Sequence, residues 1–339
     1  MRFRITPGKD SGRTSMKLAF LHPENEFTDE LLSTLRQKLS GHEILSWVAG
    51  KSAPANDIEI LIAIGKVGPE QLESLDKLVF IQTASTGYEN VDIDAASERG
   101  IWVSFAPSDV TGNAASVAEF AVMLLLAASR RLSAFFKAEK DSSIHPPTIH
   151  PVLSGKTVCV VGLGDVGEEV VKRLRSFDVK IVATDEHPEK APAGVTAYAP
   201  DKLREIVAAA DYVVLCVRAS PANENLVDAA MLQAMKRGTI LVNIARGTLV
   251  DEAALIEAVE SGQIAAAGLD VVREEPLKPE NPLLGFPQIV VTPHLAGFTD
   301  LMLVGTAAYI SKVVDEVASG KKPGSVLNEP QDPRLMFEG

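Results

Sequence analysis

The sequence predicts an α/β protein made of two doubly wound parallel-sheet domains, and three observations carry that reading. Short apolar runs alternate with helical patterns in both halves of the chain, as successive βα units require. Residues 157–167 (TVCVVGLGDVG) pass from a strand pattern through three glycines into a helical one. At 339 residues the chain is long enough for two domains that each bury a core.

Composition narrows the possible functions. The chain is 46% hydrophobic, yet no uninterrupted apolar run approaches the ~18 residues that a membrane span needs. A net charge of −12 without a Lys/Arg block argues against a nucleic-acid surface and leaves room for a small anionic ligand. Cys159 and Cys216 both stand in apolar strand-like runs, which suits reduced packing residues of a cytoplasmic protein better than a disulfide framework. Residues 1–16 are polar and basic and end on a second methionine, Met16, so they read as an extension. Pro7 and Gly8 interrupt any amphipathic helix there, which favours an upstream start or expression remnant over a targeting leader.

In the first half, apolar runs at 18–21 (LAFL), 58–64 (IEILIAI), 78–82 (LVFIQ) and 101–103 (IWV) read as strands, with helices at 30–39 and 69–75. The small polar stretch 84–88, with Ser85, Thr86 and Gly87, follows one of these strands. It is either a plain turn or a loop whose backbone N–H groups hold a carboxylate. Residues 113–131 (NAASVAEFAVMLLLAASRR) form a helical pattern apolar around more of its circumference than one stripe, as expected of a helix buried between domains or subunits. Residues 141–151, with three prolines, His145 and His150, read as a loop; two histidines without a Cys, Asp or Glu cluster make no metal site.

In the second half, the strand 157–161 runs into Gly162, Gly164 and Gly167, which fit G-x-G-x-x-G. Such glycines permit a tight turn, close approach of the backbone to a pyrophosphate, and close packing of helix on sheet. With Asp165 and Val166 they open a crossover helix over 166–177. The next strand, 180–184, ends in Asp185, 18 residues beyond Gly167, where a carboxylate accepts the ribose hydroxyls of NAD. Further strands at 212–217, 239–243, 265–269 and 289–291 alternate with helices at 203–209, 228–235 and 252–261, giving a sheet of about six strands. A last helix covers 300–318, and the Pro/Gly-rich tail from Lys321 has no core of its own. No internal repeat is present in the sequence.

Three residues at or just beyond strand ends in this half are candidates for chemistry: Arg246, Glu275 and His294. Taken singly, Arg246 is either a fork for a carboxylate or a surface arginine paired with Asp251, Glu275 a solvated acid or an orienting one, and His294 structural or a proton carrier. Together they supply a cation for a carboxylate, an imidazole for proton transfer and an acid to orient it. Reversible oxidation of a 2-hydroxy acid beside a nicotinamide needs all three.

At these positions the sequence resembles the D-isomer-specific 2-hydroxyacid dehydrogenases. The resemblance lies in SVAEF (116–120), GKTVCVVGLGDVG (155–167), NIARGTLVDE (243–252), GLDVVREEP (268–276) and TPHLAG (292–297), and covers nearly all of residues 17–328. It implies a Rossmann dinucleotide-binding domain, 113–295, inserted into a flavodoxin-like substrate domain formed by 17–112 and 296–328, with a homodimer as the usual assembly. It also implies that Arg246 binds the substrate carboxylate and polarises the keto group, and that His294 is the acid in reduction and the base in oxidation. Glu275 would hydrogen-bond His294 and favour its charged form, Asp270 would face the nicotinamide carboxamide, and the backbone at Ser85, Thr86 and Gly87 would grip the carboxylate.

The chain departs from the family in places. Arg218 stands where many relatives carry proline, either as a phosphate or adenine contact or as a solvated arginine. Ile64, Gly65 and Lys66 stand where phosphoglycerate-specific members carry an arginine, and their regulatory extension is not matched here, which favours an unphosphorylated acid. The expected activity is NAD-dependent hydride transfer between nicotinamide and a small 2-keto or D-2-hydroxy acid of the glyoxylate, hydroxypyruvate or pyruvate class. The alternative is an NAD-binding sensor or co-regulator of the same fold without useful turnover.

Overall fold

A computed structural model describes residues 15–133 and 149–338. Most of the expected N-terminal extension, and His145 with most of the loop around it, lie outside the described residues. The chain divides into two compact units, one formed by the residues up to Asn113 and from Phe298 onward, the other by Ala114–Gly297. In sequence, the second unit therefore interrupts the first.

In the first unit, β1 (Lys17–His22), α1 (Glu26–Lys38), β2 (Glu43–Val48), β3 (Ile60–Ala63), α2 (Pro69–Glu73), β4 (Phe80–Thr83), α3 (Ile93–Glu98), β5 (Trp102–Ser104) and α4 (Ser108–Thr111) follow in order. Its strands are all parallel in the order β2-β1-β3-β4-β5, the flavodoxin-like arrangement. The strands read as continuous apolar runs because both faces are covered. Along β1, Leu18 and Phe20 enter one core while Ala19 and Leu21 enter the other.

The second unit begins with α5 (Asn113–Ser129), whose Ala118, Ala121, Leu124, Leu125 and Ala128 pack in the same core as Val158 and Val160. There follow β6 (Thr157–Val161), α6 (Asp165–Leu174), β7 (Lys180–Thr184), β8 (Thr196–Tyr198), α7 (Leu203–Val207), β9 (Tyr212–Leu215), α8 (Ala229–Ala234), β10 (Thr239–Asn243), α9 (Glu252–Glu260), β11 (Ile264–Leu269) and β12 (Ile289–Val291). The parallel order β8-β7-β6-β9-β10-β11-β12 reverses direction between β6 and β9, and ligands of such sheets bind outside the carboxyl ends at that point. Finally α10 (Asp300–Ala318) returns to the first unit, where Ile310, Val313, Val314 and Val317 pack in the core with Leu18 and Phe20.

Four of these elements escaped the sequence reading. In strand β2 (EILSWV) Ser46 breaks the apolar pattern into pairs at a sheet edge, β8 is a short edge strand whose Thr196 and Tyr198 are exposed, and helices α3 and α4 are only six and four residues long. None of them carries the continuous apolar run that marks a central strand of a parallel sheet. The tail after Lys321 is also more engaged than its composition suggested. Val326 bridges Ser104 antiparallel at the edge of β5, the Trp102 indole N–H donates to the Leu335 carbonyl at 2.9 Å, and Leu335 is buried. Both cysteines are packing residues, and burial pushes each thiol up to about 12.

Candidate active site

The glycine turn sits between the ends of β6 and β9, and each glycine answers a different constraint. Gly162 has φ +94°, and a Cβ there would stand 2.8 Å from the Val217 backbone just beyond β9. A Cβ on Gly167 would lie 2.0 Å from the Gly162 carbonyl oxygen, so this glycine lets α6 settle onto the turn. Gly164 is different: it caps α6 with φ −69° and a Cβ there would meet no atom within 4 Å. The space above Gly164 is a cradle that only a side chain would fill, at the N-terminus of a ten-residue helix where backbone N–H groups and the helix dipole favour a pyrophosphate. Asp165 and Val166 form the first turn of that helix. Asp185, just past β7, accepts from the Leu163 N–H and the His187 N–H, both at 2.8 Å, and so ties the second strand to the glycine turn. Exposed Arg218 follows Val217, the residue whose backbone crowds Gly162.

This division of labour predicts opposite outcomes for two substitutions. Gly164→Val should leave Tm within about 2 °C of wild type, because the position is exposed and its φ is ordinary. It should nevertheless weaken NADH binding by at least about tenfold by filling the cradle. Gly167→Ala should lower Tm instead, since the new methyl has no room. Nucleotide titration and thermal melts on the two variants check this; equal NADH affinity in wild type and Gly164→Val would rule out the cradle.

The candidate catalytic residues come from the ends of β10, β11 and β12. His294 Nδ1 lies 2.8 Å from Glu275 Oε2, with the two side chains 47% and 38% exposed. An ionised carboxylate only accepts, so Nδ1 carries the proton of this bond and Nε2 is the nitrogen left for chemistry. Partial burial pushes the Glu275 carboxyl up, but the hydrogen bond and charge of His294, the Val272 amide and the Arg246 charge outweigh it and hold the carboxyl below its ordinary value. Glu275 is thus an anion that hydrogen-bonds the His294 imidazole and feels the charge of the Arg246 guanidinium. Arg246, partly buried, donates through Nη1 to its own neighbour's carbonyl, Ala245 O, at 2.7 Å. Asp251, its alternative partner, caps α9 by accepting from Ala254 N–H at 3.1 Å.

The residues that hold these groups were less legible. Asp270 is 1% exposed, and its carboxylate accepts from the Thr292 hydroxyl at 2.7 Å, the Leu295 N–H at 2.8 Å and the Ala296 N–H at 3.0 Å. The turn that carries His294 is folded around this one buried anion. His294 itself has φ +57°, unusual for a residue with a Cβ, and its N–H donates to the Asp270 carbonyl at 2.8 Å. Gly247 had no role in the sequence reading: a Cβ there would lie 2.0 Å from the Val272 carbonyl carbon, so the Arg246 turn and the Glu275 loop are in backbone contact. The resemblance gave Asp270 a cofactor contact but not this supporting role, and Gly247 showed only as a glycine beside a strand end.

In the first unit, the stretch after β4 is organised by its own hydroxyls. Thr83 Oγ1 donates to the Ser85 carbonyl at 2.7 Å, Ser85 Oγ to the Gly87 carbonyl at 2.8 Å, and Thr86 Oγ1 to the Ala106 carbonyl at 3.1 Å. With hydroxyls and carbonyls engaged in this way, the loop's candidate carboxylate donors are the backbone N–H groups of Thr86 and Gly87. No group of three or more His, Cys, Asp or Glu that could hold a metal is found among the described residues, and none of their helices is long and apolar enough to cross a membrane.

Residues 122–296 match the model of the D-isomer specific 2-hydroxyacid dehydrogenase NAD binding domain. A D-3-phosphoglycerate dehydrogenase of Archaeoglobus fulgidus is 34% identical over 85% of this chain and 54% of its own length, so the chain spans about half of that relative. A glyoxylate reductase of Thermofilum pendens is 32% identical over 85% of this chain and 87% of its own length. Among solved structures, the TT0316 protein of Thermus thermophilus superimposes with a TM-score of 0.79 at 30% identity, covering 92% of this chain and 100% of that one.

Proposed function

The chain belongs to the D-isomer-specific 2-hydroxyacid dehydrogenase family, and from that premise we propose that it interconverts a small 2-keto acid and its D-2-hydroxy acid with NAD. The observation that carries the proposal is the 2.8 Å pair of His294 and Glu275 within reach of the Arg246 charge. Bound nicotinamide supplies or accepts the hydride at the substrate's C2. The remaining steps fall to the chain.

The turn amides from Gly162 to Gly167 hold the pyrophosphate and Asp185 accepts the ribose hydroxyls, since each of its oxygens keeps a free lone-pair direction beside the one used. An ionised carboxylate has about four acceptor sites. The Asp270 carboxylate uses three of them on Thr292, Leu295 and Ala296, which leaves one for the carboxamide. The Arg246 fork pairs with the substrate carboxylate and polarises the keto oxygen. In reduction the C=O electron pair moves onto oxygen as the new C–H bond forms, and His294 Nε2 delivers the proton that neutralises it. Oxidation runs the same transfer backwards, with neutral His294 as base and Glu275 stabilising the imidazolium that results.

The glyoxylate, hydroxypyruvate or pyruvate class is supported by the glyoxylate reductase relative and by Lys66, a point charge in the loop after β3 where a planar fork would better match a phosphate. A cytoplasmic homodimer belongs to the same reading, by resemblance. The test is NADH oxidation across glyoxylate, hydroxypyruvate, pyruvate and the phosphorylated keto acid corresponding to D-3-phosphoglycerate. Turnover of an unphosphorylated acid supports the proposal; preference for the phosphorylated one would move the substrate class. NADH binding with no turnover at all would leave the sensor reading.

Asp185 also sets an expectation for cofactor choice. Its anion repels a 2′-phosphate, so kcat/KM with NADH should exceed that with NADPH by at least about tenfold, ~1.4 kcal/mol. Lys190, in the turn after β7, and exposed Arg218, beyond the end of β9, are the cations that would oppose this. Equal efficiencies with the two cofactors would remove Asp185 from the specificity argument.

A further inference from the structure

Asn243 ends β10, and its side chain is fully buried at 0% exposure after the run Ile240, Leu241 and Val242. A primary amide in that position is costly unless both ends are hydrogen-bonded. Its Oδ1 accepts from the Ala245 N–H at 3.0 Å, and its Nδ2 donates to the Arg246 carbonyl at 2.8 Å. Two bonds from one side chain therefore close the three-residue turn that delivers Arg246. The Asn243 backbone carbonyl accepts from the Asp270 N–H at 3.0 Å, and Asp270 is the anion around which the His294 turn folds. On its far side the Arg246 turn is stopped by the contact of Gly247 with the Val272 backbone.

From this arrangement, and resting on the dehydrogenase reading above, we propose that Asn243 is a positioning residue for Arg246. It touches neither substrate nor cofactor. A long arginine side chain has several rotatable bonds, and its fork meets a carboxylate in register only if its base is fixed. The Asn243 amide fixes that base, and its backbone joins the strand end carrying Arg246 to the one that carries the His294 support.

The test uses Asn243→Ser, which keeps an acceptor for the Ala245 N–H but is too short for the Arg246 carbonyl, in wild-type and Arg246→Ala backgrounds. Keto-acid kcat/KM should fall at least about tenfold in the wild-type background, chiefly through KM, with NADH Kd changed less than about twofold. In the Arg246→Ala background the same substitution should change kcat/KM by less than about twofold, because the group it positions is gone. An unchanged kcat/KM, an equal loss in both backgrounds, or a parallel loss of NADH affinity would each overturn the proposal. If Arg246→Ala itself turns over like wild type, or wild type turns over no keto acid, the dehydrogenase reading fails and this inference fails with it. Should Asn243→Ser not fold, Asn243→Asp, isosteric and able to accept but not to donate, takes its place in the same measurements.

Discussion

His294→Gln should lower kcat/KM for keto-acid reduction by about 10² to 10⁴, the range general acid catalysis supplies, while NADH Kd and Tm stay near wild type. The side chain is 47% exposed and hydrogen-bonds Glu275, itself partly exposed, so little folding energy rests on it. Gln can still donate a hydrogen bond to the Glu275 carboxylate and polarise an oxygen, but it cannot give up a proton. Separating those two abilities is the purpose of the variant. Near-wild-type turnover would mean that the proton reaches the substrate from another group.

Arg246→Lys should cost roughly 10²-fold or more in kcat/KM although the charge is kept, by analogy with losing a positioned electrostatic donor. A guanidinium offers two parallel N–H groups to a carboxylate and a lysine ammonium a single mobile point charge. Kinetics close to wild type would return Arg246 to the role of a surface arginine. The variant also bears on Glu275, whose carboxyl the Arg246 charge helps to hold low. A lysine that withdraws into solvent would relax that influence, so the acid-side loss of activity should begin at higher pH than in wild type.

Much of the fold was legible because parallel sheets bury both faces of their strands. The runs at 157–161, 239–243 and 289–291 became β6, β10 and β12 with the bounds that the apolar pattern had given. Edge strands β2 and β8 lacked that signature and passed unread. In the site, the outward-facing Arg246, Glu275 and His294 could be read because their positions after strand ends and their chemistry agree. The inward-facing supports could not. Asn243 looked like the end of a strand and Gly247 like a turn residue; what each does depends on the Arg246 and Val272 backbones, one of them 25 residues further along the chain. A polar side chain at the end of an otherwise apolar strand was the available signal, since burial there requires partners.

The central claim, that a His294–Glu275 pair carries the proton, is tested most directly by kcat/KM against pH in both directions, for wild type and Glu275→Gln. Reduction requires His294 protonated, so its kcat/KM should be high at low pH and fall as pH rises; oxidation requires it neutral and should rise over the same interval. The two profiles should share one midpoint. Because the Glu275 carboxyl lies below its ordinary value, any loss of reductive rate from its protonation should begin only below about pH 4.3, the usual glutamate range. Removing the anion in Glu275→Gln should move both midpoints to lower pH, with NADH binding unchanged. Profiles that run in the same direction, or midpoints that stay where they are in Glu275→Gln, would contradict the account.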